Sequence, residues 1–234
     1  MFAYLFLLFW FLHLNGIPGI SFGEARICNL LIGHGKNISL IQDLALEHVR
    51  VLNSIFKAQV LNQSPFNDVE FRLGRLQVMF GSCDAFEKDN FLRAFDRHDF
   101  RDFCLAYLFS HLDFEGGTAG YASVGTVCQD SHNSGFITSL NYGSDRSLED
   151  SALTFTHEVG HNFGAKHDSD YSDPECIKKD YIMNEVYDDS QDFDKDGKSY
   201  RTKFSECSIA SMREKLGELS RQDNLCFKSE WDVP

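Results

Sequence analysis

Between residues 39 and 57, Leu40, Ile41, Leu44, Val49, Leu52, Ile55 and Phe56 recur every three or four positions, the spacing of one helical face. Ser39 and Gln42 form a capping-box pair at its start. Phe71–Phe80 (FRLGRLQVMF) reads as a strand, and Phe91, Leu92 and Phe95 share a face that predicts a short helix over Asp89–His98. The dense apolar run Phe103–Ser110 (FCLAYLFS) suits a central strand buried on both faces. Tyr121–Val127 and Phe136–Asn141 are further strands between Gly-rich loops. An amphipathic helix begins near Ser151, capped by Asp150 or Ser151. A polar, acidic stretch follows to about Phe204. Ile209, Met212, Leu216 and Leu219 then line a closing helix over Ser205–Leu219. Helices and strands alternate early, with no repeat and no linker, so the pattern predicts one compact α/β (α+β) unit.

One apolar run does not fit that unit. Met1–Leu12 (MFAYLFLLFWFL) is uninterrupted until His13, too short for the roughly 20 residues of a membrane span. It suits the hydrophobic stretch of an export signal ending near residue 23, among the small residues Gly16, Gly19, Ser21 and Gly23, although no Lys or Arg precedes it. A core strand at the start of a fragment is the alternative. No later segment approaches membrane length.

Composition and cysteine usage agree with export. The 234 residues carry 22 Lys+Arg against 35 Asp+Glu, a net charge of −13 that argues against nucleic acid or an anionic membrane surface as partner. Seven cysteines (Cys28, Cys83, Cys104, Cys128, Cys176, Cys207 and Cys226) include no C-x-x-C pair, so disulfides fit better than a zinc ribbon or redox motif, with one cysteine left over. Asn37-Ile38-Ser39 and Asn62-Gln63-Ser64 are glycosylation sequons, the second weakened by Pro65.

The chemistry is concentrated in residues 157–168, HEVGHNFGAKHD. On a helix His157 and His161 stand about 40° apart around the axis and about 6 Å along it. Both imidazoles then reach one metal ion at about 2.0 to 2.1 Å. Glu158 sits beside them, near enough to touch a metal-bound water. Gly164 suits the left-handed turn that ends a helix and brings His167 back as third ligand. Three neutral nitrogens leave a fourth tetrahedral position open, the mark of a catalytic Zn2+ site. Zinc acidifies its water and polarises a substrate carbonyl, while Glu158 takes the proton and passes it to the leaving amine. The other six histidines have no comparable spacing.

Downstream, Tyr181-Ile182-Met183 reads as a Met-turn. With it the extended motif resembles the metzincin metalloproteases, and Asp168 directly after the third histidine resembles their adamalysin or ADAM branch. Cys104-Leu105-Ala106-Tyr107, Asp113-Phe114, Gly135-Phe136-Ile137-Thr138, Asn141-Tyr142-Gly143-Ser144 and Phe204-Ser205-Glu206-Cys207-Ser208-Ile209 are similar to the Kuzbanian-type sheddases. The resemblance implies a catalytic domain over residues 24–234. Its sheet is expected to be mixed, mainly parallel, five-stranded and twisted, with long helices. Zinc would lie in a cleft between a larger N-terminal and a smaller C-terminal subdomain, with Met183 beneath it. The implied disulfides are Cys28–Cys104, Cys128–Cys226 and Cys176–Cys207, leaving Cys83. The implied substrates are peptides or membrane-protein ectodomains outside the cell, bound extended along an edge strand that includes Ala119, Gly120, Tyr121 and Ala122. Such proteases continue past the Met-turn with small or apolar residues. Here Asn184-Glu185 follows, so the preference for the side chain after the scissile bond is expected to differ.

Two other readings compete. Asp192, Asp194, Asp196 and Gly197 (DFDKDG) match the first half of an EF-hand loop, but Lys203 stands where a bidentate Glu is required, so a weak Ca2+ site is the most this loop offers. With Glu185, Asp188 and Asp189 it forms an acidic region that would favour basic substrates or simply face solvent. A secreted pseudoprotease that binds partners without cutting would be expected to lose Glu158 or a histidine, and none is lost.

Overall fold

The computed structural model describes residues 2–13, 38–64, 66–67, 69–81, 87–101, 103–185, 192–221 and 226–229. Asn37, Cys28, Cys83, Asp188 and Asp189 therefore lie outside the described residues. The order is β1 (Phe2–His13), α1 (Ile38–Gln59), β2 (Val69–Gly81), α2 (Lys88–Phe95), β3 (Leu105–Ser110), β4 (Gly120–Ala122), β5 (Ser134–Thr138), β6 (Leu140–Asn141), β7 (Ser144–Asp145), α3 (Leu148–Asn162), α4 (Glu206–Leu219) and β8 (Phe227–Ser229).

The main sheet runs β2-β1-β3-β5-β4, with β8 added beside β1. It is mixed, but the expected five-stranded, mainly parallel arrangement is corrected in two respects. Six strands take part, and β1–β2, β1–β3 and β4–β5 are antiparallel while only β3–β5 and β1–β8 are parallel. Parallel neighbours need a long crossover. Between β3 and β5 the chain makes one, with β4 inside it, whereas β1 opposes β2 and β3. Residues 2–13, read above as an export signal or, alternatively, a core strand, form β1 between β2 and β3. A further hairpin, β6–β7, turns through Tyr142 (φ 48°) and Gly143 (φ 71°), whose N–H groups both donate to the Asp113 carboxylate at 2.9 and 2.7 Å.

The helices fall close to where their apolar spacing puts them. Ser39 lies inside α1 rather than at its cap. α3 begins earlier than expected. Its cap is Ser147, whose hydroxyl accepts the Asp150 N–H at 3.0 Å and donates to the Asp150 carboxylate at 2.6 Å. The strand expected over Tyr121–Val127 is shorter. After Ala122 the N–H groups of Gly125 and Val127 turn to the carbonyls of His161 and Asn162 at the end of α3, so no strand partner is left for them.

Phenylalanine builds the core. Phe56 on α1 meets Phe71, Phe163 and Phe204 edge-on at 5.0, 5.3 and 5.3 Å. Each such pair adds about 0.5 to 1.5 kcal/mol beyond its burial. Tyr107 and Phe109 of β3 pack on Phe155 at 4.9 and 5.4 Å, which seats α3 against the sheet. Cys128 is joined to Cys226 and Cys176 to Cys207, the pairs the resemblance implies. Cys104 is fully buried, with its sulfur 3.4 Å from the Cys226 carbonyl, and its implied partner Cys28 is outside the described residues.

Candidate active site

From Ser151 to Asn162 every residue of α3 is buried, so the helix is a pillar through the molecule and not a surface element. Asn162 locks its end. Its amide donates to the Ser123 carbonyl, the Thr126 hydroxyl and the Ser134 carbonyl at 3.0 to 3.1 Å, and its oxygen accepts from Tyr107 at 2.5 Å. The helix stops in a Schellman turn, with Gly164 N–H on the His161 carbonyl (2.8 Å) and Ala165 N–H on that of Gly160 (3.0 Å). Gly164 holds φ 97°, a conformation costly for any residue with a Cβ. This reversal carries His167 back over the helix.

The three imidazoles converge, with one nitrogen of each within 4.8 Å of the others. Nε2 of His161 and Nε2 of His167 are 3.3 Å apart. Two ligands about 2.0 to 2.1 Å from one ion at a tetrahedral angle are separated by about 3.3 to 3.4 Å, so the spacing fits zinc. The opposite nitrogens are committed to the backbone: His157 Nδ1 donates to the Ile182 carbonyl at 2.6 Å and His161 Nδ1 to that of Ala165 at 2.8 Å. A carbonyl can only accept, so these contacts fix the proton on Nδ1 and leave the Nε2 lone pairs for a metal. Burial pulls His157 well below the usual histidine range and His161 to about 4, which keeps both neutral. The donor set therefore fits a zinc ion.

The Met-turn lies directly beneath. A Cβ at Gly160 would come within 2.7 Å of the Met183 sulfur, so only glycine lets the turn close on the helix. Met183 is fully buried and its carbonyl accepts the Asp168 N–H at 3.0 Å. The Asp168 carboxylate accepts from the hydroxyls of Ser205 (2.5 Å) and Ser208 (2.9 Å), which ties the third histidine to the start of α4. Burial raises its pKa. Sequence reasoning marked Asp168 and the Met-turn but missed their partners. The carbonyls of Ile182 and Ala165 leave no side-chain signal, although Ser205 could have been found as a helix cap.

Glu158 is 4% exposed, and its Oε2 has no hydrogen-bond partner. Burial pushes its carboxyl up to about 8, with Lys88 and Arg146 pulling the other way. A Cβ at Gly120 would lie 2.5 Å from Glu158 Oε1, so β4 passes the glutamate at backbone distance. Ala119, Gly120, Tyr121 and Ala122 all line the same cleft as the histidines, a space of about 820 Å³. β4 is the last strand on its side of the sheet. The Ala119 carbonyl accepts Thr138 N–H at 2.9 Å, so by strand alternation Tyr121 also faces β5, while Gly120 and Ala122 direct their backbone groups to the open edge. A larger hollow of about 1120 Å³ lies between α1, residues 194–204 and α4. None of the three histidines lines it.

The acidic loop is organised differently. Lys203 forms an ion pair with Asp194 and Lys179 one with Asp192 (2.6 Å), while Asp194 also accepts the N–H groups of Asp196 and Lys198 at 2.8 Å. The Lys203 contact is the chief cause that holds Asp194 down at about 2. Asn62, the sequon inside the described residues, donates its amide to the Ala58 carbonyl and accepts from Arg213.

Comparison with known proteins agrees with this geometry. Residues 53–218 match the family described as metallo-peptidase family M12B, reprolysin-like. Disintegrin and metalloproteinase domain-containing protein 10 of Homo sapiens is 30% identical over 235 residues, covering 83% of this chain and 29% of that protein. Its Mus musculus counterpart is 30% identical over 256 residues, covering 88% and 32%. Domain-containing protein 9 of the same name from Homo sapiens is 39% identical over 106 residues, covering 45% and 12%. The chain thus spans less than a third of the length of the first two relatives.

Proposed function

The chain belongs to the reprolysin-like M12B metallopeptidases, and from that premise we propose that it is a zinc-dependent endopeptidase in which His157, His161 and His167 hold the ion. The observation that carries this reading is the convergence of three nitrogens within 4.8 Å beside a buried, unpaired carboxylate oxygen. When bound, zinc would supply Lewis acidity, making a water acidic and a carbonyl electrophilic. The chain's own residues do the rest. The Ile182 and Ala165 carbonyls hold two rings in the tautomer that ligates. Glu158 Oε2, buried beside the histidines and without a hydrogen-bond partner, takes a proton from the attacking water and returns it to the departing amine. Gly120 and Ala122 offer open backbone groups to an extended peptide, whose main chain any sequence can supply.

The substrates in this reading are proteins outside the cell, including membrane-protein ectodomains. Two disulfides support an oxidising compartment. Among the described residues no helix is long and apolar enough to cross a membrane. The two subdomains would face each other across the cleft, with α3 as its floor. The third disulfide is Cys28–Cys104, with Cys83 left over. Calcium at residues 192–197 is no part of the activity, because lysines already meet two of those carboxylates.

The test is direct. Zinc content and cleavage of a quenched peptide are measured for the wild type and for Glu158→Ala. The variant should retain one zinc and lose about 10² to 10⁴ in kcat/KM, since only the proton carrier is removed. Equal cleavage by both, or a wild type that holds zinc and cuts nothing, overturns the mechanism, the latter in favour of a non-catalytic binding protein.

A further inference from the structure

The hairpin β6–β7 places a large aromatic residue where its backbone favours a small polar one. Its two-residue turn has φ above zero at both central positions, and Asn-Gly is the pair that suits such a turn. Here the pair is Tyr142-Gly143, with φ 48° and 71°. A tyrosine is disfavoured in that conformation, because its Cβ crowds the following carbonyl. The turn is held all the same, since the Asp113 carboxylate accepts both of its N–H groups. A disfavoured residue fixed in this way points to a use for its side chain.

That side chain stands in the cleft. Tyr142 lines it together with Gly116, Gly117 and the edge strand β4. Its hydroxyl donates to the Gly116 carbonyl at 3.3 Å. A Cβ at Gly117 would overlap the ring, so glycine there lets the ring settle against the loop. With its hydroxyl end braced, Tyr142 stays 77% exposed, the highest value among the exposed large apolar side chains of the described residues. A single aromatic on an open surface needs no explanation. This one lies on the path of a peptide bound along β4. Glu158 Oε1 against Gly120 sets the level of the cleaved bond on that strand. Gly117 is three residues earlier, at most about 10 Å away. An extended peptide covers that distance in about three residues.

We propose that Tyr142 is a specificity-determining residue, an aromatic platform for a bulky apolar side chain about three residues from the cleaved bond. The proposal rests on the peptidase reading above and names the class of peptide it favours. Ring contact adds attraction beyond the area buried. A ring already fixed in place also has little rotamer freedom to lose on binding.

Binding tests it apart from turnover. Zinc-loaded Glu158→Ala is titrated with fluorescent peptides that carry Phe or Ser at the second, third or fourth position from the bond, on each side in turn. At one of these positions the Phe peptide should bind about two- to tenfold tighter than the Ser peptide. Tyr142→Asn in the same background removes the ring and supplies a residue that tolerates the left-handed turn. It should melt no lower than its parent, retain zinc, and bring the Phe/Ser ratio to one at that position alone. Tyr142→Gly provides the same test should the asparagine variant fail to fold. Tyr142→Phe, which keeps the ring without the hydroxyl, should keep the ratio. No Phe preference at any position, a preference that survives in Tyr142→Asn, or one lost equally in Tyr142→Phe overturns the platform. A Tyr142-dependent preference in binding, with no cleavage of any peptide by the wild type, sinks the peptidase reading and leaves the platform. Cleavage at rates indifferent both to Phe and to Tyr142→Asn, with Glu158 in place, does the reverse.

Discussion

Two stretches of this chain are written in the alphabet of metal ligands, and the fold treats them in opposite ways. At residues 157–167 two imidazoles are buried and the third is half-buried, each of the two on α3 is pinned by a backbone carbonyl, and one nitrogen of each of the three lies within 4.8 Å of the others. At residues 192–203 the spacing D-x-D-x-D-G and the turn at Gly197 (φ 75°) match an EF-hand loop, yet the carboxylates of Asp192 and Asp194 are engaged by Lys179, Lys203 and main-chain amides. Ligand spacing is therefore half of a site. The other half is an outer ring that orients the donors without neutralising them, and only the histidine region has one.

Removing a ligand should do the greatest damage. His167→Ala leaves two nitrogens, so zinc affinity should fall well beyond the roughly 10- to 100-fold that loss of an outer partner costs. Zinc titration with a competing chelator measures it. An affinity within tenfold of wild type would mean that His167 is not a ligand, and the contrast between the regions would collapse.

Acid should separate the two regions next. His48 on α1 is buried, its Nδ1 2.8 Å from the Leu44 carbonyl and its Nε2 2.9 Å from the Ser151 hydroxyl, with Phe109 and Phe155 against the ring and Glu47 beside it in sequence. Burial lowers its pKa from 6.5 to about 4. Between those values the unfolded chain binds a proton that the folded one refuses. Stability is thus whole above pH 6.5 and falls as pH drops towards 4, by about 3 kcal/mol from this residue. Denaturant melts of the zinc-free protein should show that slope, and His48→Gln should lose its share of it. Asp194, held at about 2, should keep its charge throughout.

How much of this could be read beforehand depends on how local each signal is. β3, α3 and α4 are legible because apolar spacing is a property of neighbouring residues, and the pairing of His157 with His161 because helix geometry turns i and i+4 into one face. The start of α3 was misplaced, although Ser147-Leu148-Glu149-Asp150 is a capping pattern, because Asp150 and Ser151 are equally good caps by type. The Tyr121–Val127 strand failed for a different reason: the carbonyls that end it belong to His161 and Asn162, far along the chain. Sheet direction was beyond reach because residues 2–13, an unbroken apolar run before small residues, read first as a leader and only second as a strand. The outer ring was invisible, since a backbone carbonyl has no letter.

Asp168 sharpens the contrast at smaller cost. It is the carboxylate of the histidine region, and unlike Asp194 it meets hydroxyls, not lysines. Asp168→Ala strands the buried hydroxyls of Ser205 and Ser208, which should lower stability by about 1 to 3 kcal/mol. A denaturant midpoint unchanged from wild type would show that the link between His167 and α4 carries no load.

The smallest expected effect asks whether the acidic loop is a calcium site closed by its own lysine. Lys203 occupies the twelfth position, where an EF-hand places a bidentate glutamate, and its ammonium lies against Asp194, the third-position ligand. A positive charge is thus already at the place where a calcium ion would sit. Lys203→Glu removes that cation and supplies two oxygens in its stead. The loop has its glycine turn in place, since Gly197 holds φ 75° and Asp194 already accepts the N–H groups of Asp196 and Lys198. Among the described residues no paired helices flank it to stiffen the loop, so affinity should be that of weak extracellular sites, a Kd of about 10⁻³ M. At a calcium concentration ten times that value, binding to the folded state alone adds about 1.4 kcal/mol. The readout is the rise in Tm of Lys203→Glu on adding calcium, compared with the wild type under the same conditions. A rise in the variant alone supports a cation supplied by the chain. No rise in the variant means that spacing without paired helices is not enough, and the resemblance to an EF-hand is then only one of letters. An equal rise in both means that Lys203 does not exclude the ion, and the contrast drawn between the two regions fails at its acidic end.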